Sequence, residues 1–201
     1  MTRRFGLTFD YLCPFARIVH EHVVLALRSG ADWDVSFVPY SLAQGHVEEG
    51  GTAVWDRTDP LSASGVRALA SGLAVRDHDP ERFLDVHAGL FAARHDEGAD
   101  LRDPAVIDRV LVAAGVDAEA IAAHVASGGP LARLAEEHTR AVEERSVWGV
   151  PTFLASRAVF VRLLERPEGD AALAVSRIER VLDLIDGMPE LHEFKQADLP
   201  Y

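Results

Sequence analysis

The sequence predicts an α/β protein: one four-stranded mixed sheet built in two pieces, β-α-β and then β-β-α, interrupted by an all-helical insertion. Three observations carry that prediction. A strand-like apolar run near the start leads through a helical pattern to a second strand-like run. Residues 59–146 are helical in pattern throughout. Strand signals return only after Gly149, and an amphipathic helix follows them. Neither piece can cover its own apolar faces, so the sheet must be assembled across the insertion. The expected domains are residues 1–58 together with 147–201, and residues 59–146.

Residues 3–10 hold Phe5, Leu7 and Phe9 in partial alternation and read as the first strand. Residues 14–28 read as a helix, with Pro14 in the first turn and Gly30 as the stop. Its Phe15, Ile18, Val19, Val23, Leu25, Ala26 and Leu27 suit a largely buried position. Residues 33–42, with Val35, Phe37, Val38 and Tyr40, read as a second strand, and a β-α-β order predicts parallel pairing. Residues 44–57 carry Gly45, Gly50 and Gly51 and read as a mobile connection.

Helices are expected near 60–76, 80–96, 104–114, 118–127 and 130–146. Asp79-Pro80 and Asp103-Pro104 each set a capping carboxylate before a proline suited to the first helical position. Gly98, Gly115 and Gly128 stand where C-terminal stops belong. Residues 151–155 and 158–163 read as two strands around a tight turn at Ser156-Arg157. Residues 171–186 read as a helix with the stripe Leu173, Val175, Ile178, Val181, Leu182 and Ile185. The polar tail, 187–201, is expected to drape over the surface.

With 201 residues the chain can bury a real core. Thirty-two acidic side chains against 20 basic ones give a net charge of −12, which argues against nucleic acid and anionic membranes as partners. No apolar run approaches the length of a membrane span. Residues 5–9 are too short for the apolar core of a signal peptide, and Asp10 closes them. The single cysteine cannot form an internal disulfide, and a reducing cytoplasm is the expected location.

That cysteine sits in Phe9-Asp10-Tyr11-Leu12-Cys13-Pro14-Phe15-Ala16, where an apolar strand meets a helix. The layout is that of a redox Cys-x-x-Cys site with Ala16 in place of the second thiol. The unpaired N–H groups of the helix N-terminus favour a thiolate at Cys13 by on the order of a kcal/mol. Arg17 is the nearest cation in sequence, and Asp10 would oppose ionisation if it lay close. No HExxH, P-loop, GxGxxG or GxSxG is present, and no metal is expected. His20 and His22 point to different helix faces and cannot share a metal. His87, His95, His124 and His138 are expected to face solvent or to cap helices. Trp55 and Trp148 read as core, with the lining of a pocket between lid and sheet as the alternative. Arg157 and Arg162, which flank the expected hairpin, read as solvated surface, with contact to a ligand carboxylate as the alternative.

The element order, the Cys13-Pro14 junction and Trp148-Gly149-Val150-Pro151-Thr152-Phe153 at the third strand together resemble the DsbA-like branch of the thioredoxin superfamily. That resemblance covers essentially the whole chain and implies a thioredoxin-like fold with a helical insertion. It also implies a cis peptide at Pro151, opposite Cys13, with the Val150 backbone available to a thiol-bearing ligand. The family's dithiol is reduced here to one thiol. The same branch is similar to 2-hydroxychromene-2-carboxylate isomerases and kappa-class glutathione transferases, which use a serine near this position and bind glutathione.

The resemblance implies a thiol–disulfide oxidoreductase with Cys13 as nucleophile and Pro14, Phe15, Val150, Pro151 and Thr152 as the substrate- or thiol-binding residues. A mixed disulfide on Cys13 would need an external thiol to resolve it. No tightly bound cofactor is expected, only a low-molecular-weight thiol such as glutathione or mycothiol as co-substrate. The expected partners are a small-molecule thiol or disulfide and a second copy of the chain in a homodimer. A thiol-dependent isomerase or transferase and a redox-inactive binding protein are the competing readings.

Overall fold

The computed structural model describes residues 2–195. The end of the expected surface tail, residues 196–201, lies outside the described residues. Strand β1 (Arg3–Phe9) runs parallel to β2 (Trp33–Pro39), with Leu7 opposite Phe37. On its other side β1 pairs antiparallel with β3 (Thr152–Leu154), which pairs antiparallel with β4 (Ala158–Phe160). The sheet order is β2-β1-β3-β4. This is the four-stranded mixed sheet that the element order predicts, assembled across the helical block. Leu7, Phe9 and Phe153 are fully buried in it.

Helix α1 (Pro14–Arg28) carries Ala16, Val19, Val23 and Ala26 inward and packs against α8 (Ala171–Gly187). Gly30 takes φ +90°, and Ala31 N–H reaches back to the Ala26 carbonyl at 3.0 Å, closing the helix as expected. Between β2 and β3 come a one-turn α2 (Leu42–Gly45) and five longer helices: α3 (Val66–His78), α4 (Phe83–His95), α5 (Pro104–Ala113), α6 (Ala118–Ala126) and α7 (Gly129–Arg145). One apolar core runs from the sheet into these helices. Among the described residues, no helix is long and apolar enough to cross a membrane.

Several boundaries differ from the sequence reading, each for a local reason. The strand expected over 33–42 stops at Pro39, because Ser41 caps α2 by accepting from Gln44 N–H at 3.2 Å. The connection expected to be mobile is pinned: Val54 is fully buried and donates its N–H to Gln44 Oε1 at 2.8 Å. The helix expected from residue 60 is a single 3-10 turn, Pro60–Ser62, and α3 begins only after Gly65. Gly65 has φ +79°, and a Cβ there would meet Asp10 Oδ1 at 3.0 Å. Asp79 does not cap α4. Its N–H bonds to Val75 O at 2.8 Å, so its backbone is committed to closing α3, and Arg82 is the residue before α4. Asp103 does cap α5, accepting from Ala105 N–H at 2.9 Å. Strands β3 and β4 are shorter than expected, though Val161 N–H still reaches Pro151 O at 3.1 Å.

Gly72, inside α3, faces the buried Tyr11 side chain so closely that an added Cβ would overlap its hydroxyl oxygen and crowd two ring carbons at 3.2 Å. Tyr11 is held by a hydrogen bond at its hydroxyl and cannot swing away. Gly72→Ala is therefore expected to destabilise the fold by roughly 1–3 kcal/mol despite the better helix propensity of alanine. A urea midpoint at or above wild type would contradict this.

Candidate active site

The segment after β1 is built by one carboxylate. Asp10 Oδ1 accepts from Leu12 N–H at 2.9 Å, and Oδ2 accepts from Leu42 N–H at 2.8 Å at the start of α2. The Asp10 carbonyl accepts from Cys13 N–H at 3.0 Å. Asp10 is fully buried, and desolvation pushes its carboxyl up to about 6 even though both amide donors pull it down. The turn delivers Cys13 to the N-cap of α1 with extended backbone, φ −86° and ψ 117°. Pro14 follows at the first helical position, where no N–H is needed.

Cys13 is 7 % exposed. Its Sγ accepts from Ala16 N–H at 3.4 Å and lies 3.4 Å from Val150 O, to which the thiol donates. The Val150–Pro151 peptide is cis. Thr8 and Thr152 hold that loop against β1. Thr152 N–H donates to Thr8 Oγ1 at 2.8 Å, and Thr152 Oγ1 donates to Gly149 O at 2.8 Å. The structure thus brings Cys13 against Val150, with Pro14 exposed and Phe15 half-buried on the outer side. Pro151 and Thr152 are buried behind them, and the Thr152 hydroxyl is spent on its own loop.

The electrostatics depart from the simple helix-terminus argument. Burial is the largest influence on Cys13 and pushes its thiol up. The Ala16 and Phe15 amides pull it down, Asp10 pushes it up, and Arg162 pulls it down. Burial outweighs the helix N-terminus, so the resting group is a thiol at neutral pH. The helix end alone predicts a thiolate.

The cation acting on Cys13 is also not the one nearest in sequence. Arg17 turns aside and pairs with both Asp96 oxygens at 2.6 Å. Arg162 occupies the rim instead. Its guanidinium carbon sits 4.9 Å from the Phe15 ring centre and 5.9 Å from that of Phe160. Trp148 is not core: it is 70 % exposed and lies against Phe160, with ring centres 4.5 Å apart. Arg157 closes the C-terminus of α8 by donating to the Met188 carbonyl at 2.6 Å and to that of Pro189.

Four histidines expected at the surface, at caps or on plain helix faces lie in the interior. His20, His22, His87 and His138 are each at most 5 % exposed. Three of them are tied into the core by ring hydrogen bonds to other elements. Tyr11 Oη lies 3.0 Å from His87 Nδ1, His87 Nε2 lies 2.9 Å from His20 Nδ1, and His20 Nε2 lies 3.1 Å from Thr8 O. A carbonyl only accepts, so the Thr8 end fixes every proton in this chain. His20 donates from Nε2, His87 donates from Nε2 to His20, and Tyr11 donates to His87. Desolvation holds His20 down at about 3 and His87 well below its usual value, so both rings are neutral. His138 Nδ1 accepts from Ser41 N–H at 3.1 Å. The sequence held one usable signal: Phe83, His87 and Phe91 recur every four residues, the spacing of a single buried helix face.

A cleft of about 260 Å³ lies between α1 and α4, lined by Arg17, Glu21, Arg28, Phe91, Asp96 and Arg166 among others. Its cations are neutralised in place, Arg17 and Arg166 by Glu21 and Asp96 and Arg28 by Asp85. Neither Cys13 nor Val150 reaches it.

Comparison with known proteins agrees with this architecture. The family described as DSBA-like thioredoxin domain matches residues 7–161. No curated protein matches the sequence. Among solved structures, the chain is similar to the cytosolic disulfide reductase DsbM from Pseudomonas aeruginosa, solved with glutathione, at 21 % identity and a TM-score of 0.58, covering 90 % of this chain and 100 % of that one. It is similar to a 2-hydroxychromene-2-carboxylate isomerase at 17 % identity and a TM-score of 0.62, covering 92 % and 98 %. It is also similar to a DsbA variant from Pseudomonas aeruginosa at 22 % identity and a TM-score of 0.55, covering 90 % and 88 %. At these identities the likeness is one of fold.

Proposed function

The chain belongs to the DSBA-like thioredoxin domain family, and from that premise we propose that it is a monothiol thiol–disulfide oxidoreductase acting through Cys13. The observation that carries the reading is the position of Sγ, at the N-cap of α1 and 3.4 Å from the carbonyl that precedes the cis proline. Cys13 is the only sulfhydryl in the sequence, so no second protein thiol can complete a turnover.

In the proposed cycle Cys13 loses its proton to solvent and attacks one sulfur of a small disulfide. The new Cys13–S bond forms as the substrate S–S bond breaks, and one half leaves as a thiolate that takes up a proton. An external low-molecular-weight thiol, as its thiolate, then attacks the substrate sulfur of the mixed disulfide and frees Cys13. One turn converts a disulfide and a thiol into a new mixed disulfide and a released thiol, with no net electron loss from the protein. A cytoplasmic location belongs to the same reading. It is supported by the single cysteine and by the cytosolic disulfide reductase among the similar structures.

Cys13→Ser is expected to bring glutathione-driven reduction of a small disulfide down to the uncatalysed background. Retention of wild-type turnover by that variant would overturn the proposal. One observation favours a second reading, an isomerase or transferase in which a bound thiol does the chemistry. The resting Cys13 is protonated, and its single S–H, which here donates to Val150 O, would orient a neighbouring cofactor thiolate by turning from that carbonyl to it. Intact mass after incubation with glutathione disulfide separates the two. A covalent adduct on Cys13 supports exchange, and binding without an adduct supports the cofactor role.

A further inference from the structure

The rim of the Cys13 site carries a charged group whose surroundings fit a ligand. Arg162 follows β4 and is exposed beside the buried thiol. Two aromatic rings, Phe15 on α1 and Phe160 on β4, hold its guanidinium, and Trp148 continues the aromatic surface beyond Phe160. Ring faces fix a guanidinium in place without using its N–H groups. Among the described residues, Arg162 forms no ion pair and no hydrogen bond, in a chain with 32 acidic side chains for 20 basic ones. Its five donors remain available in the planar fork that matches a carboxylate.

The protein as a whole repels anions, with a net charge of −12, and the buried Asp10 adds negative charge near the sulfur. A cation kept unpaired there would be a poor arrangement for a neutral or cationic substrate. It suits one that carries a negative group on the same molecule as its reacting sulfur.

We propose that Arg162 is a specificity-determining residue that anchors a carboxylate of the sulfur substrate, so that the site favours carboxylate-bearing thiols and disulfides over uncharged ones, with the exposed Trp148–Phe160 surface contacting the body of the substrate. The inference rests on the reading that Cys13 is the reacting group. Phe15 and Phe160 position Arg162 and take no part in the chemistry.

Two aromatic disulfides test this. 5,5′-Dithiobis(2-nitrobenzoate) carries a carboxylate on each ring, and 4,4′-dithiodipyridine carries none at neutral pH. Each reacts by the same step: the Cys13 thiolate displaces one chromophoric thiolate and keeps the other half as a mixed disulfide. The ratio of the two rate constants cancels any effect of Arg162 on the thiol itself, since both reactions need the same thiolate. Arg162→Gln is expected to lower that ratio about tenfold, the scale of a lost charge-assisted hydrogen-bonded pair at a half-open site. Arg162→Lys, which keeps the charge but not the fork, is expected to recover part of it. Rising salt is expected to narrow the difference in that ratio between wild type and Arg162→Gln.

An unchanged ratio in Arg162→Gln, or an equal slowing with both disulfides, would overturn the anchoring role. The second of those outcomes would place Arg162 on the thiol instead of the substrate. Wild-type protein inert to both reagents would instead remove Cys13 as the reacting group, and this inference with it. Arg162 is exposed, and a matching urea midpoint for each variant confirms that the fold is intact.

Discussion

Between pH 7 and about pH 4.5 the protein is expected to lose roughly 3 kcal/mol of stability or more, a large share of a typical domain's total. The cause is histidine held neutral in the interior. His20 is held down at about 3, His138 at about 4 and His87 well below its usual value, each chiefly by desolvation. In the unfolded chain all three titrate near 6.5. A group whose folded pKa is depressed adds stability above its unfolded pKa and loses it as pH falls from there towards the folded value. His20 and His138 thus each withdraw about 2 kcal/mol by about pH 4.5, and His87 withdraws stability in the same direction. Asp10 works the other way: its carboxyl, raised to about 6, makes the folded state the better proton acceptor below that pH. It returns about 2 kcal/mol over the same window, which leaves the histidines dominant. Urea denaturation at several pH values checks this. A midpoint that stays level or rises from pH 7 to about pH 4.5 would refute it.

His87→Leu is expected to cost about 4 kcal/mol at neutral pH. Leucine fills the volume but offers nothing to Tyr11 Oη or His20 Nδ1, and both lie in the interior. Each buried polar group left without a partner costs about 1–3 kcal/mol. Tyr11→Phe alone orphans only His87 Nδ1 and should cost less. In the double variant Tyr11→Phe with His87→Leu, the first change removes a group the second would have stranded. The pair should therefore be less damaging than the sum of the singles. Additive costs would show that the chain is not coupled. His87→Leu should also flatten the acid dependence, because one of the three depressed histidines is gone.

The parts of the fold legible in the sequence are those set by local chemistry. Gly30 closes α1, Asp103 caps α5, and alternation marks β1, each written within a few residues. The pairing of Cys13-Pro14 with Val150-Pro151 was readable because both halves are short and unusual, although they lie far apart in the chain. What escaped depends on through-space neighbours. Asp79 has the look of a cap, yet its backbone belongs to the preceding helix. Arg17 is close to Cys13 in sequence, but an α-helix carries it to the Asp96 side, while Arg162 arrives from β4. The histidines read as polar because their hydrogen-bond partners, Tyr11 and the Thr8 carbonyl, belong to other elements.

Thr8 ends two separate constructions. Its carbonyl receives the last proton of the Tyr11–His87–His20 chain, and its hydroxyl receives Thr152 N–H beside the cis proline. His87 comes from the helical insertion, and Tyr11, His20 and Thr8 come from the sheet half. The insertion is therefore not an interchangeable cassette. Grafted onto another sheet of this shape without Tyr11, His20 and Thr8, it would bring a histidine with no one to donate to. A chimera that moves the helices has to move those three residues with them.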